Sequence, residues 1–248
     1  MIPYFRKIRK KMADDNRPLK YTRYAIGEII LVVIGILIAL QINTWNEEQK
    51  TRVIETKTLK EIRANLELDL NELNEDIAVM DSISDAGIAV LKYVKNNDKP
   101  SASFKYKVNV SRLNPHFDAV QGGYSLLESK GLDIISNDSL RGAISKLYEL
   151  SYPYYAKYEN ERIFKVNNII LPKFTNYFSF IWLDDDSYFN GTSEISDKDY
   201  LSMKNDITFI NVLNLAMNEN EMVKNRAQRT AGNVQNLINF IDEELREQ

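Results

Sequence analysis

The residue types that most often carry chemistry are scarce in this chain of 248 residues, which holds no cysteine and one histidine, His116. A disulfide framework, a thiolate nucleophile and a cysteine-based zinc or iron–sulfur site are therefore excluded. A metal site built from several histidines of one chain is excluded as well. Since His116 follows Pro115 and no Ser- or Cys-centred motif stands near it, we predict no catalytic role for it.

The acidic run Asp184, Asp185 and Asp186, followed by Asn190 and Gly191, has the composition of a calcium loop. The spacing D-x-[DN]-x-[DN]-G is not met, however, and no Glu stands at the closing position, so the run predicts a solvated acidic loop. No P-loop, G-x-G-x-x-G or G-x-S-x-G sequence is present either. We therefore expect no metal, no cofactor and no enzyme activity, and an enzyme with a carboxylate-based site is the weakest of the alternatives.

Glu28 is the ionisable residue that stands out, because an unbroken apolar run at 29–40 follows it. An ionisable group within a membrane segment is a candidate functional residue. A short basic head, one helix with an inner acidic group and a large outer domain resemble the layout of proton-driven stator proteins. This layout predicts, as the main alternative function, a subunit of a proton-coupled membrane complex. The other interpretation is that Glu28 lies at the interface and pairs with Arg23 or a lipid headgroup.

The apolar run predicts a transmembrane helix over 24–43. Its eighteen residues from Ala25 to Ile42, at about 1.5 Å each, extend over about 27 Å, close to the ~30 Å hydrocarbon core. Eleven Ile, Leu and Val residues lie between Ile29 and Ile42. They contribute about −3 to −7 kcal/mol of insertion free energy, against a cost of about 2.5–3.5 kcal/mol for one central acidic residue. Large polar residues follow the run, with no small-residue cleavage site, so we predict an uncleaved anchor.

Charge predicts the orientation of this anchor, since residues 1–24 hold eight basic and two acidic residues and the rest is net acidic. The positive-inside rule makes 1–23 a basic cytoplasmic head and 44–248 a periplasmic domain of a bacterial inner-membrane protein. The head is predicted to be either a short interfacial helix on anionic lipid or a flexible tail. Besides the bilayer, we expect other envelope proteins as partners, and the acidic body argues against nucleic acid.

Small residues in the predicted span offer a face for helix–helix contact. Gly35 and Ala39 are one turn apart, Gly27 lies two turns before Gly35 on roughly the same side, and Gln41 could add an interhelical hydrogen bond. The corresponding hypothesis is a homo-oligomer formed through this helix, with Glu28 and Gln41 as candidate functional residues inside the membrane.

Beyond the anchor, the pattern predicts an all-α body. Apolar residues recur from Leu59 to Val94 with a mean step near that of a helix, which indicates a long helix over 47–97. Asp69 and Asp76 interrupt the stripe, so packing inside a bundle is favoured over a coiled coil. Central helices are expected over 117–182, with Gly131 ending one of them, Ser136-Asn137-Asp138 offering caps for the next, and a break at about Leu171 before Pro172. C-terminal helices are expected over 197–247, where Ser196 with Asp199 three residues on resembles a capping box. The alternation FKYKVNV at 104–110 predicts a short β-hairpin or an extended connector near 101–115.

Aromatic residues are concentrated at 148–189, which holds half of the chain's total. Tyr148, Tyr152 and Tyr155 share one helix face. Such a face is typical of a docking patch or ligand pocket, and equally of a bundle core whose phenol groups reach the edge. We favour the core and keep the three tyrosines as candidate docking residues.

Two segments carry a family resemblance. The first is GEIILVVIGILIALQINTWNE at 27–47, preceded by FRKIRK at 5–10, and the second is FDAVQGGYSLLESKGLDIISNDSLRGAISKLYELSYPYY at 117–155. They resemble an uncharacterised family of Bacteroidota single-pass membrane proteins. The run FDAVQGG at the start of the second segment departs from the Ala-Tyr-type sequence that more usually precedes this helix in the family. The resemblance implies a membrane address and carries no activity. With the residues above, it predicts a membrane-anchored, non-catalytic periplasmic interaction or scaffold protein.

Overall fold

The computed structural model describes residues 18–182 and 191–247. The predicted all-α fold is confirmed, with one two-stranded antiparallel sheet added to it. The helices and strands are α1 Pro18–Asn96, α2 Ala102–Ser111, α3 Gly122–Lys130, α4 Asp138–Lys146, α5 Tyr152–Lys165, α6 Leu171–Thr175, β1 Ser179–Trp182, β2 Gly191–Glu194, α7 Asp197–Lys204 and α8 Ile207–Glu247. The basic head as far as residue 17, and the acidic loop with Asp184, Asp185, Asp186 and Asn190, lie outside the described residues.

The chain divides into two compact units, Met1–Glu55 and Thr56–Gln248. In the first unit, every residue of 29–54 is solvent-exposed. An 18-residue window of this helix has a mean hydropathy of 2.6, and none of it is buried. The helix is therefore long and apolar enough to cross a membrane, and it differs from the core helix of a soluble protein, which would be mostly buried.

In the second unit, residues 56–96 of α1 bury the predicted apolar stripe. Leu59, Ile62 and Leu66 are fully buried, whereas Ile88 is 41% exposed. The apolar residues recur about every 3.5 positions, whereas an ideal helix has 3.6 residues per turn. The stripe therefore moves gradually around the helix and leaves the buried side at Ile88. Gly87 does not end the helix; a Cβ at this position would lie 2.7 Å from Met217 Cγ of α8, so the glycine permits close packing of the two helices.

The prediction of a hairpin or extended connector near 101–115 is wrong for most of its length, because 102–111 is helix α2. The Ser101 hydroxyl accepts a hydrogen bond from the Phe104 N–H at 3.2 Å and so caps the helix. Phe104 and Val108 are buried one turn apart. A spacing of four residues fits one face of a strand and also one turn of a helix. Burial of these two side chains against the rest of the unit stabilises the helix.

The cap signals in the centre of the chain are confirmed. α3 ends at Gly131, which has a φ of +95°, a value that favours glycine. The Asn137 side chain accepts hydrogen bonds from the Ser139 and Leu140 N–H groups and starts α4. Similarly, the Ser196 hydroxyl accepts from the Asp199 N–H at the start of α7.

Two π turns join α4, α5 and α6 into one helical run. The first spans Leu147–Ser151 and the second Val166–Ile170. Each ends two residues before a proline, Pro153 or Pro172, which has no N–H to donate and whose ring clashes with the carbonyl of residue i−4. Widening the turn moves that carbonyl away. The helix consequently continues past Pro172, instead of ending at Leu171 as the sequence suggested.

The sheet lies where the sequence indicated the end of the central helices and a polar loop. The predicted helical region up to 182 stops at Thr175, and β1 then pairs with β2, with Ser179 opposite Glu194 and Trp182 opposite Gly191. The hairpin packs on α2. There the Asn109 amide donates to the Gly191 carbonyl at 2.9 Å, and the Ser193 hydroxyl donates to the Lys105 carbonyl at 2.6 Å.

The second unit buries two apolar clusters along α8. One joins α1, α3, α4 and α5 to α8 from Val223 onward, where Val223, Val234 and Ile241 are buried. The other joins the end of α1, α2, α6, the hairpin and α7 to the first turns of α8, around Phe209 and Leu213. Packing within one chain, rather than a coiled-coil seam, therefore buries the apolar stripes.

Candidate functional site

The candidate residues of the apolar N-terminal helix lie on different sides of α1. Glu28 is half-buried and Gln41 is exposed. The 13 positions between them correspond to a rotation of about 220° and a rise of about 20 Å, so the helix does not bring them together. A Cβ on Gly27 or Gly35 would meet no atom of the described chain within 4 Å. The small-residue face with Ala39 is therefore open, and its role in self-association stays a prediction.

The structure corrects the docking hypothesis for the three tyrosines. Tyr148, Tyr152 and Tyr155 are only 5%, 5% and 1% exposed and belong to the first apolar cluster, so they do not form an exposed docking patch, although Tyr155 contributes to the wall of the cleft described below. Tyr148 stacks on Tyr124 at 4.4 Å between ring centroids and meets Tyr152 edge-on at 5.3 Å. Their spacing of three to four residues is that of a core-facing helix side, the interpretation favoured from the sequence.

Asp69, which interrupts the apolar stripe, is held by hydrogen bonds in the core. The Tyr152 hydroxyl donates to its carboxylate at 2.6 Å, and the Val120 N–H donates to the other oxygen at 2.8 Å. Burial raises the pKa of Asp69, and the two hydrogen bonds lower it in part. This buried polar residue of α1 therefore positions the chain segment before α3 against α1 and α5.

A second buried polar group consists of Asp76 on α1 and Glu159 and Arg162 on α5, which are 7%, 3% and 3% exposed. The Glu159 carboxylate accepts from the Phe117 N–H at 3.1 Å, and Arg162 donates to the Pro115 carbonyl. Two atoms of the group, Asp76 Oδ2 and Arg162 Nε, meet no hydrogen-bond partner in the described part of the chain.

Burial raises the pKa of both carboxyl groups, that of Asp76 to about 6 and that of Glu159 to about 7, and the Arg162 charge opposes both shifts. Sequence reasoning missed Glu159 and Arg162. A signal was nevertheless present, since Tyr152, Tyr155, Glu159 and Arg162 follow one another at steps of three, four and three residues. A charged pair on a core-facing side is rare enough to mark an internal polar group.

Clustered acidic groups of raised pKa are what an enzyme with a carboxylate site would need. Here Asp76 and Glu159 are buried, and neither lines the two surface clefts described below. His116 lies on the surface, where its Nε2 is 3.1 Å from an Asp118 oxygen. Within residues 18–182 and 191–247, no group of three or more His, Asp or Glu side chains could hold a metal ion.

A cleft of about 300 Å³ lies between the first π turn and α8, and we call it the arginine cleft. Its π-turn side includes Leu150, Ser151 and Tyr154, and Tyr155 forms part of its wall. Its α8 side is lined by Arg226, Arg229, Thr230 and Asn233. Arg226, the adjacent pair Arg229 and Thr230, and Asn233 follow one another about one helical turn apart, which explains why one helix face presents them together.

Arg226 is held in place by aromatic rings. Its guanidinium carbon lies 4.4 Å from the ring centroid of Tyr158 and 5.2 Å from that of Tyr154, and Nη2 donates to the Tyr158 hydroxyl at 3.3 Å. Stacking occupies the faces of the guanidinium and leaves most of its edge N–H groups to other acceptors. Arg229 lies about one turn further along α8 and is exposed. The sequence pattern singled out neither arginine.

A second cleft of about 220 Å³ adjoins the first and shares Ser151 and Asn233 with it. Its remaining wall is mostly apolar, with Lys146 at the edge, and consists of Ala143, Lys146, Leu147, Asn236, Leu237 and Phe240. The two clefts together form a cationic site with an apolar extension.

A family model for a family of unknown function, DUF6090, matches residues 28–221. The matched range includes the apolar run, the central segment at 117–155 and the first turns of α8. No curated protein and no solved structure matches the chain.

Proposed function

The chain belongs to the DUF6090 family of unknown function, and from its own residues we propose that it is a single-pass protein of a bacterial inner membrane with a non-catalytic binding or scaffold role. In this proposal the apolar helix anchors the chain with its N-terminus in the cytoplasm. The helical unit Thr56–Gln248 then works outside the cytoplasm by binding other envelope components.

The observation that carries the proposal is the exposed apolar helix surface at 29–40. Its Ile, Leu and Val side chains are 45% to 67% exposed, with Ile34 the least and Leu31 the most. Each such side chain is more stable by about 1.5–3 kcal/mol when it is removed from water. A lipid bilayer covers all sides of a helix at once, which fits a surface that is apolar all round.

The basic residues before the helix support the orientation, because eight of them precede residue 25 and only two acidic residues accompany them. A binding role is supported by the contrast between the sealed carboxyl groups of Asp76 and Glu159 and the open arginine cleft. The former are out of reach of a substrate, whereas the latter is accessible and concave.

The proposal is tested by fusing a reporter after residue 248. A phosphatase that is active only outside the cytoplasm should be active, and a β-galactosidase at the same position should be inactive. In a matched control, the basic residues of the head are changed to glutamine, which should lower phosphatase activity at equal protein level. An expressed but inactive phosphatase fusion would overturn the orientation.

The anchor itself is tested by fractionation. We expect the full-length chain of 28.8 kDa in the membrane fraction after alkaline extraction. A shorter, soluble product would identify a cleaved signal sequence and contradict the anchor. Chemical cross-linking before solubilisation, followed by purification in mild detergent, then identifies the neighbours of the domain. Recovery of a multispanning membrane protein would instead favour the proton-coupled complex.

A further inference from the structure

We infer that the arginine cleft is a binding site for an anionic group, a carboxylate or a phosphate, carried on a small apolar body. This inference rests on the proposed binding function and names the chemistry of the ligand. Arg226 and Arg229 would hold the anion, and the adjoining cleft would take the apolar part.

Charge is the first argument. Residues 56–248 contain 22 basic and 29 acidic residues, so a random surface cleft would include carboxylates. None of the residues that line the arginine cleft or its neighbour is acidic. The helix positions three and four residues away from each arginine are also free of acids; they are Met222, Val223, Asn225, Gly232, Thr230 and Asn233. Two cations of an acidic domain therefore lack a carboxylate neighbour on their own helix.

The spacing of the two arginines is the second argument. Like charges three residues apart on a helix repel each other and destabilise it slightly. Stacking on Tyr154 and Tyr158 stabilises Arg226 in spite of this cost and fixes its direction. An anion bound between two guanidinium groups would remove the repulsion, and it would receive charge-assisted hydrogen bonds in a preorganised geometry.

The apolar part follows from the rest of the lining. Tyr154 is 44% and Leu150 60% exposed at the entrance, and Leu147, Leu237 and Phe240 line the adjoining cleft. A volume of about 300 Å³ is at the lower end of small-molecule sites. A free inorganic anion would leave this apolar surface in water, whereas an anion with an aromatic or short alkyl body would cover it.

The test uses the full chain in nanodiscs of zwitterionic lipid and isothermal titration calorimetry at constant ionic strength. The probes are phenyl phosphate, benzoate, inorganic phosphate and the neutral benzyl alcohol. We expect saturable binding of one phenyl phosphate or benzoate per chain, and binding at least about tenfold weaker for inorganic phosphate and for benzyl alcohol. The tighter of the two aromatic anions identifies the headgroup, and either order supports the inference.

Two variants test the arginines. R226Q/R229Q should weaken binding by at least about tenfold, and R226K/R229K should recover part of it, because lysine keeps the charge and loses the planar fork. K92Q/K130Q removes two exposed charges that do not line the cleft and should bind as the wild type does. Far-UV circular dichroism checks that each variant is folded.

Equal binding by the wild type and R226Q/R229Q would overturn the inference, as would the absence of saturable binding or an equal loss in K92Q/K130Q. Binding of inorganic phosphate as tight as that of phenyl phosphate would overturn the apolar part. These outcomes leave the reporter fusions unaffected, so failure of the cleft and failure of the proposed anchor can be told apart.

Discussion

The buried carboxyl group of Glu159 should make the helical domain less stable as the pH rises. Its pKa is raised to about 7 by burial, whereas an unfolded chain ionises the same group at about 4.5. The folded state therefore binds the proton more tightly than the unfolded state does. The stability due to this proton is fully present below pH 4.5 and is lost as the pH rises through 7.

The size of the effect follows from the shift. Each unit of pKa difference corresponds to about 1.4 kcal/mol, so the ionised Glu159 destabilises the fold by about 3 kcal/mol at pH 8. Glu159→Gln removes the charge and can still accept the hydrogen bond from the Phe117 N–H. We expect the variant to be more stable than the wild type by about 2–3 kcal/mol at pH 8 and by less than about 1 kcal/mol at pH 5.

Thermal unfolding of the full chain in nanodiscs, followed by circular dichroism from pH 5 to pH 8.5, measures this difference. For a domain of this size, 1 kcal/mol corresponds to about 2–4 °C, so Tm should rise by about 4–12 °C at pH 8. The lowered pKa values of Asp206, beside Lys173, and of Asp242, beside Arg63, affect stability only below about pH 4. The chosen window therefore excludes those two ion pairs.

Asp76 remains in the variant, and its own raised pKa of about 6 should leave a smaller slope between pH 4 and pH 6. Glu161→Gln, an exposed change on the same helix, is the matched control and should retain the pH profile of the wild type. If Glu159→Gln lost stability with rising pH as steeply as the wild type, the assignment of a buried, hard-to-ionise carboxyl group would be refuted.

Three further experiments test the fold and the anchor. Asn137→Ala removes the cap of α4 and should lower the free energy of unfolding by about 1–2 kcal/mol in urea titrations, whereas the exposed Asn236→Ala should change it by less than about 0.5 kcal/mol. Gly123→Ala places a Cβ 2.8 Å from the Ile62 backbone nitrogen and should destabilise by about 1–3 kcal/mol. At Gly142, where a Cβ meets no described atom within 4 Å, alanine should stabilise by about 0.5–1 kcal/mol, and equal effects at the two glycines would contradict the packing. Glu28→Gln should leave membrane insertion and cross-linked neighbours unchanged, and loss of function at normal protein level would favour the proton-coupled alternative.

Local signals in the sequence were sufficient for the long helices and their ends. The long helix follows from the apolar stripe between Leu59 and Val94, one helix end from Gly131 and one helix start from Asn137. Each of these signals acts through neighbours within a few residues, and each prediction is confirmed. The prediction of a hairpin or extended connector around 104–110 was wrong because the apolar alternation of this segment is compatible with a strand and with a short helix. Only burial of Phe104 and Val108 against distant residues distinguishes the two, and no local pattern contains that information.

The candidate site was harder to predict for the same reason. Tyr152 and Asp69 are 83 positions apart in the chain and are hydrogen-bonded in the core. A half-buried and an exposed arginine on a long helix are ordinary until Tyr154 and Tyr158 are found beside one of them. The sequence does contain the aromatic concentration and the proline that precedes these tyrosines. Without the packing of α5 on α8, however, neither indicates which tyrosines are core and which are exposed.

The second π turn provides an internal comparison for the arginine cleft. Both π turns precede a proline and both pack against α8, so the local backbone chemistry is the same. At the second, Lys165 lies 2.7 Å from the carboxylate of Glu219 on α8, and the chain neutralises its own cation. At the first, Arg226 and Arg229 line an open cleft in which no described residue is acidic. The lysine before the second π turn is thus paired within the chain, whereas the two α8 arginines beside the first have no acidic residue in their cleft, which leaves an anion to be supplied from outside the chain.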